Sequence, residues 1–152
     1  MSKNTVEKYL DLLSKVFILH KVGGYSKKLR KEVAKRNKWY FFDNGLRNVL
    51  IANMNPIELR DDVGMLWENY VISERIKQQK YSRMIVNNYF WRTYDKQEID
   101  WLEEREGKLF GYEFKWNPQK MPNAPKGWIN AYPESKFEVI NRDNYLSWIR
   151  KP

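Results

Sequence analysis

The stretch Gln97-Glu98-Ile99-Asp100-Trp101-Leu102-Glu103-Glu104-Arg105-Glu106-Gly107-Lys108-Leu109-Phe110-Gly111-Tyr112-Glu113-Phe114-Lys115-Trp116 decides how this chain is read. Two runs rich in aromatic and aliphatic residues flank a charged segment that ends in Glu106-Gly107. This reads as a β-hairpin with a two-residue turn, Gly107 supplying a positive φ. Centring the turn there sets Asp100 opposite Glu113 and Glu98 opposite Lys115. Opposed residues of an antiparallel pair share a face, their Cβ atoms roughly 4.5–5.5 Å apart. One face then carries Glu98, Asp100, Leu102, Leu109, Gly111, Glu113 and Lys115. The other carries Ile99, Trp101, Phe110, Tyr112, Phe114 and Trp116, and is expected to be core.

Two opposed carboxylates repel unless a cation lies between them, and oxygen donors of this kind suit a hard divalent ion. Lys115, two residues beyond Glu113 on the same side of its strand, is placed to hold a phosphate oxygen or to orient a water. A hairpin with a charged solvent face spells the same letters, so the pattern alone leaves both readings open.

Length and composition narrow the class. The chain has 152 residues, enough for one domain with a real core, or one domain with a small appendage. Seven Trp and 16% aromatic residues argue against disorder despite a mean hydropathy of -0.80. Lys and Arg number 28 against 19 Asp and Glu, a net charge of +9 that favours a polyanionic partner, with nucleic acid the first expectation. The absence of cysteine excludes disulfides, thiolate catalysis and zinc–thiolate sites. No apolar run approaches the about 18 residues of a spanning helix and no signal-peptide core opens the chain, so no membrane partner and a cytoplasmic setting are expected.

In chain order, Thr5 reads as the N-cap of a helix whose stripe is Val6, Tyr9, Leu10, Leu13, Val16 and Phe17. A short strand-like run, Phe17 to Val22, ends at Gly23-Gly24, with further short strands over 29–33 and 39–42. His20, the sole histidine, reads as structural. Residues 27–38 are dense in Lys and Arg, and Lys27, Lys28, Arg30, Lys31, Lys35 and Arg36 suit a phosphate backbone or, equally, a solvated wing. A helix followed by a basic hairpin resembles the end of a winged-helix module. Asp43 is the expected N-cap of a helix over 45–52, and a long helix is expected over 58–80 with Val63, Leu66, Trp67, Tyr70, Val71 and Ile76 on its apolar stripe. Glu68 sits beside that stripe, where a carboxylate needs a partner. Strand-like pieces at 83–87 and 89–94 precede the hairpin, and 128–132, 136–141 and 143–149 read as a short helix, a strand and a final turn or helix.

An acidic residue on a helix, an Asp on one strand and Glu-x-Lys on the next resembles the PD-(D/E)XK, restriction-endonuclease-like superfamily, with Glu68, Asp100, Glu113 and Lys115 in the motif positions. The words Tyr40-Phe41-Phe42-Asp43-Asn44-Gly45-Leu46, Trp67-Glu68-Asn69-Tyr70-Val71, Phe90-Trp91-Arg92-Thr93, Glu98-Ile99-Asp100 and Glu113-Phe114-Lys115 resemble the C-terminal domain of unknown function of bacterial and archaeal AAA-type ATPases. The resemblance implies an α/β fold, a restriction-endonuclease-like mixed sheet flanked by helices over 56–152, preceded by a small winged-helix remnant with a basic wing over 1–55. No G-x-x-x-x-G-K-[ST] occurs, so the chain is not itself a P-loop ATPase, and an ATPase partner or a missing N-terminal module is expected.

The resemblance also implies chemistry. Asp100 and Glu113, with the Phe114 carbonyl, would hold Mg or Mn, Glu68 would bind a metal water or a second ion, and Lys115 would steady the attacking water or the developing charge. Arg92 would join the basic segment in holding phosphates, and Glu98 is a spare carboxylate. Three readings follow: a metal-dependent phosphodiesterase acting on DNA, a catalytically idle nuclease-like fold serving as a nucleic-acid or protein-docking module, and a winged-helix regulator. The last is disfavoured because a full helix-turn-helix is missing.

Overall fold

The computed structural model describes residues 2–27 and 36–151. Among these, six strands form one mixed sheet in the order β2-β1-β3-β4-β5-β6. The strands are β1 (Leu19–Gly24), β2 (Asn37–Phe41), β3 (Asn87–Arg92), β4 (Glu98–Arg105), β5 (Lys108–Phe114) and β6 (Lys136–Ile140). The helices are α1 (Lys3–Lys15), α2 (Asn44–Leu50), α3 (Val63–Tyr81), α4 (Lys126–Ala131) and α5 (Tyr145–Arg150). The pairs β1–β3 and β5–β6 are parallel, and the other three adjacent pairs are antiparallel.

The hairpin forms in the expected register from Trp101 opposite Tyr112 to Arg105 opposite Lys108. Its turn has φ of 52° at Glu106 and 70° at Gly107, the left-handed pair that lets a two-residue loop follow the twist of the strands. Both faces of the sheet are buried, however. Trp101, Tyr112 and Phe114 pack beneath Trp67, Val71, Ile72 and Ile76 of α3 and Trp148 of α5. Ile99, Leu102 and Leu109 pack with Trp91 beneath Trp128 of α4 and Tyr132. The face expected to be charged is therefore covered by α4 where Leu102 and Leu109 lie. A sheet with helices on both sides reads as near-continuous apolar runs, and the acidic residues of β4 hide this in the sequence.

The expected division into 1–55 and 56–152 is not a division of the sheet. β1 pairs with β3 through Gly23 opposite Tyr89 and Gly24 opposite Phe90, so the N-terminal strands extend the same sheet instead of packing as a separate subdomain. The helix expected from Glu58 begins at Val63, after a 3-10 turn over Ile57–Leu59, and 83–87 is not a strand before Asn87. Ser2, not Thr5, caps α1, accepting the Thr5 N–H at 3.2 Å. The α1 stripe leaves Val6, Tyr9 and Val16 exposed. Asp43 caps α2 as expected, accepting the Leu46 N–H at 3.0 Å.

Candidate functional site

The site end of the sheet is made by a β-bulge. Tyr89 lies opposite Leu102 and Trp91 opposite Ile99, so Phe90 of β3 faces two residues of β4, Asp100 and Trp101. The extra residue breaks the alternation of β4, which is why Ile99 and Trp101 lie in different cores instead of on one face. The β4–β5 ladder stops at Trp101–Tyr112, and the expected pairs Asp100–Glu113 and Glu98–Lys115 are not part of it. Asp100 Oδ2 instead accepts the Phe114 N–H at 2.9 Å, a side-chain bond where a ladder bond would otherwise stand.

Around Asp100 three elements converge. Glu68 comes from the first turns of α3, which is anchored on the sheet by Trp67, Val71 and Ile72. Glu113 and Lys115 follow the core residue Tyr112 on β5 and form an ion pair at 2.7 Å. The fourth contributor is one that sequence reasoning assigned to the basic wing. Lys38 Nζ lies 3.6 Å from Glu68, 4.0 Å from Asp100 and in hydrogen-bonding contact with Glu98, and it stands 5.4 Å from the centre of the Phe90 ring. Tyr40, two residues further along β2 and so on the same side of the strand, donates its hydroxyl to Glu68 at 2.7 Å. The Lys-x-Tyr spacing at 38–40 is a strand period, and was the one signal that could have marked both side chains. Glu98 is not spare: it binds Lys38 and lies 3.7 Å from Arg92, its cross-strand neighbour.

The electrostatics follow from burial and crowding. Asp100 is raised to about 7, first because it is buried, then because the Glu68 and Glu113 carboxylates face it; the Phe114 N–H and Lys38 oppose this. Burial alone would lower Lys38, but Glu68, Glu98 and Asp100 outweigh it and hold the ammonium charged above its ordinary range. Lys115 behaves likewise, burial being overcome chiefly by Glu113. The Tyr40 phenol is pushed far up by burial and by Glu68, so it remains a donor.

As donors, Asp100 and Glu113 fit a hard divalent ion, since both offer carboxylate oxygen. Glu68 fits less directly, because Lys38 and Tyr40 already hold it. Among the described residues no three acidic or histidine side chains are grouped as a ready metal cage. The cation amid Glu68, Glu98 and Asp100 is the Lys38 ammonium.

Of the expected phosphate-binding residues, Lys28, Arg30, Lys31 and Lys35 lie outside the described residues. Arg36 stands just before β2, its carbonyl accepting the Gly24 N–H at 3.2 Å, and Lys27 N–H contacts the Tyr132 hydroxyl at 3.4 Å. Arg92 ends β3 beside Glu98. Gly24 and Asn37, the strand ends on either side of the basic segment, and Arg92 thus share the end of the sheet that carries Asp100. No helix among the described residues is long and apolar enough to cross a membrane.

Fold and cluster together define a mixed α/β domain with a carboxylate–lysine cluster at one end of its sheet. Residues 63–149 match the family described as domain of unknown function DUF4143, and the chain belongs to that family. Residues 1–57 match a second domain of unknown function, DUF8612. The chain is similar to the uncharacterised proteins Rv2008c of Mycobacterium tuberculosis and Mb2031c of Mycobacterium bovis, each 24% identical over 119 residues, covering 76% of this chain and 26% of the relative. It thus spans about a quarter of the length of these curated relatives. No solved structure matches.

Proposed function

We propose that this chain is a nuclease-like domain of the PD-(D/E)XK type, a Mg- or Mn-dependent phosphodiesterase acting on DNA as part of a cytoplasmic AAA-type ATPase assembly. The observation that carries the reading is the convergence on Asp100 of Glu68 from α3, Glu113 from β5 and Lys115 just past its end, brought from separate parts of the chain. The family is one found in AAA-ATPase-associated proteins, which supports the assembly.

Asp100 and Glu113 would hold the ion, which supplies Lewis-acid polarisation of a phosphate oxygen. Lys115, kept charged by Glu113, donates to a phosphate oxygen or to the water that attacks it. Tyr40 donates to Glu68 Oε1 at 2.7 Å, the same oxygen that lies 3.6 Å from Lys38, and so fixes the orientation of that carboxylate. Arg92 and the basic segment 27–36 track the phosphate backbone through salt-sensitive contacts.

A second reading, a catalytically idle module that docks nucleic acid or protein, draws on the ion pairs of Lys38 and Lys115, which neutralise much of the cluster without any ion. Calorimetric Mn²⁺ titration of the wild type and Asp100→Ala, with plasmid nicking at saturating metal, separates the two. Nicking by the wild type and loss of both binding and nicking in Asp100→Ala supports the phosphodiesterase. Salt-dependent DNA binding unaltered by metal, with intact plasmid, supports the idle module.

A further inference from the structure

We propose that Lys38 is the resident cation of the acidic cluster and competes with a divalent ion for it, so that an ion enters only as the Lys38 ammonium withdraws. This rests on the reading that Asp100 and its neighbours take such an ion.

Lys38 is not a surface lysine with a passing partner. Its side chain is 25% exposed, and its ammonium lies within 4.0 Å of carboxylates from two elements, Glu68 of α3 and Glu98 and Asp100 of β4. The Phe90 ring, itself buried, lies beneath it at 5.4 Å. One of these carboxylates, Asp100, is the one a divalent ion would share with Glu113, and Glu68 stands beside it. A single charge and a double charge cannot share so few oxygen atoms a few Å apart, since their mutual repulsion grows as the site is dried. Either cation therefore excludes the other.

The lysine has somewhere to go. β2 is the edge strand of the sheet, and Lys38 is its second residue, beside Asn37 at the strand end. A four-carbon stem on an edge strand swings out without disturbing the ladder, whereas Glu68, Asp100 and Glu113 are held by a helix and two inner strands. Tyr40, by gripping Glu68 at 2.7 Å, keeps that carboxylate in place whichever cation is present. The phosphate backbone of bound DNA is a natural acceptor for the displaced ammonium, which would couple substrate arrival to ion loading.

The test uses the whole chain and Mn²⁺ alone as probe, read by calorimetry and by the electron paramagnetic resonance signal of free Mn²⁺. Lys38→Met is expected to bind Mn²⁺ about tenfold or more tightly than the wild type, and to gain a larger Mn²⁺-dependent rise in Tm. Lys38→Arg, which keeps the charge, is expected to stay as weak as the wild type, and Asp100→Asn is expected to abolish binding in the Lys38→Met background. Equal affinity in the wild type and Lys38→Met overturns the competition while leaving the metal reading intact. Weaker binding in Lys38→Met overturns it too, and makes Lys38 a support of the ion. Binding by none of the proteins overturns the metal reading and this inference together. If Lys38→Met does not fold, Lys38→Gln, which keeps much of the stem, takes its place with the same expectations.

Discussion

The guanidinium of Arg75 on α3 and the carboxylate of Glu103 on β4 form a two-pronged pair at 2.6 and 2.9 Å, with both side chains fully buried. Glu103 also accepts from Gln79 at 2.9 Å, from the Trp101 indole at 3.2 Å and from Arg105 at 3.2 Å. Arg75 in turn donates to the carbonyls of Trp148, Ile149 and Lys151, closing the C-terminal end of α5. Removing Arg75 takes the two-pronged partner from a fully buried carboxylate and leaves Arg105 as its remaining cation. Arg75→Met is expected to lower the unfolding free energy by about 3–5 kcal/mol in urea titrations, and Arg75→Met with Glu103→Leu to recover much of the loss.

Asp100 makes the protein less stable as pH rises. Its carboxyl is raised to about 7 in the fold against an ordinary value near 3.8, by burial and by Glu68 and Glu113. Between those values the native state holds a proton that the unfolded chain has lost, so this group's contribution favours folding below the unfolded value and is lost as pH rises through 7. Asp100→Asn is expected to flatten the fall in Tm between pH 5 and pH 8 and to be more stable than the wild type at pH 8. A wild-type Tm that rises across that range in step with the mutant would refute the assignment.

His20 acts with the opposite sign. It stacks on Phe42 with ring centres 3.5 Å apart, and burial, helped by Lys80 and Lys77, lowers it to about 4 from 6.5. The unfolded chain takes up the proton first, so stability is fully present above the unfolded value and is lost as pH falls towards 4. His20→Phe is expected to remove an acid-side slope of at most about 1.4 kcal/mol per pH unit, measured by urea unfolding between pH 4.5 and pH 7.

Tyr40→Phe tests the frame of the site. The hydroxyl is buried, and its bond to Glu68 at 2.7 Å is made across the β2–α3 junction. Its loss is expected to lower stability by about 1–3 kcal/mol, since Glu68 loses a donor in a part-buried setting. If nicking occurs, activity is expected to fall more than Mn²⁺ affinity, because Asp100 and Glu113 are untouched.

How much of this was legible in the chain differs from residue to residue. The Glu106-Gly107 turn and the register from Trp101 to Arg105 were readable because turn chemistry and strand alternation are local. The α2 cap at Asp43 was readable for the same reason. The grouping of Glu68, Asp100, Glu113 and Lys115 came from resemblance, and the fold brings them together. The bulge at Asp100–Trp101 was not readable, because it exists only relative to β3, whose partner register no local pattern encodes. Nor was the burial of Asn69, Ser73, Arg75 and Gln79, which spoil the apolar stripe of α3 and are satisfied by Phe41, Glu103 and Asn88.

The sequence by itself determined the hairpin turn, the Asp43 cap of α2 and the inventory of charged groups, since each depends on a few neighbouring residues. Only the tertiary structure decided which charges meet. β1 pairs with β3 instead of standing apart, and that pairing carries β2, and with it Lys38 and Tyr40, to Glu68 and Asp100. Sheet order is set by burying both faces under helices, a property of the whole chain, and the counter-charge of the site follows from it.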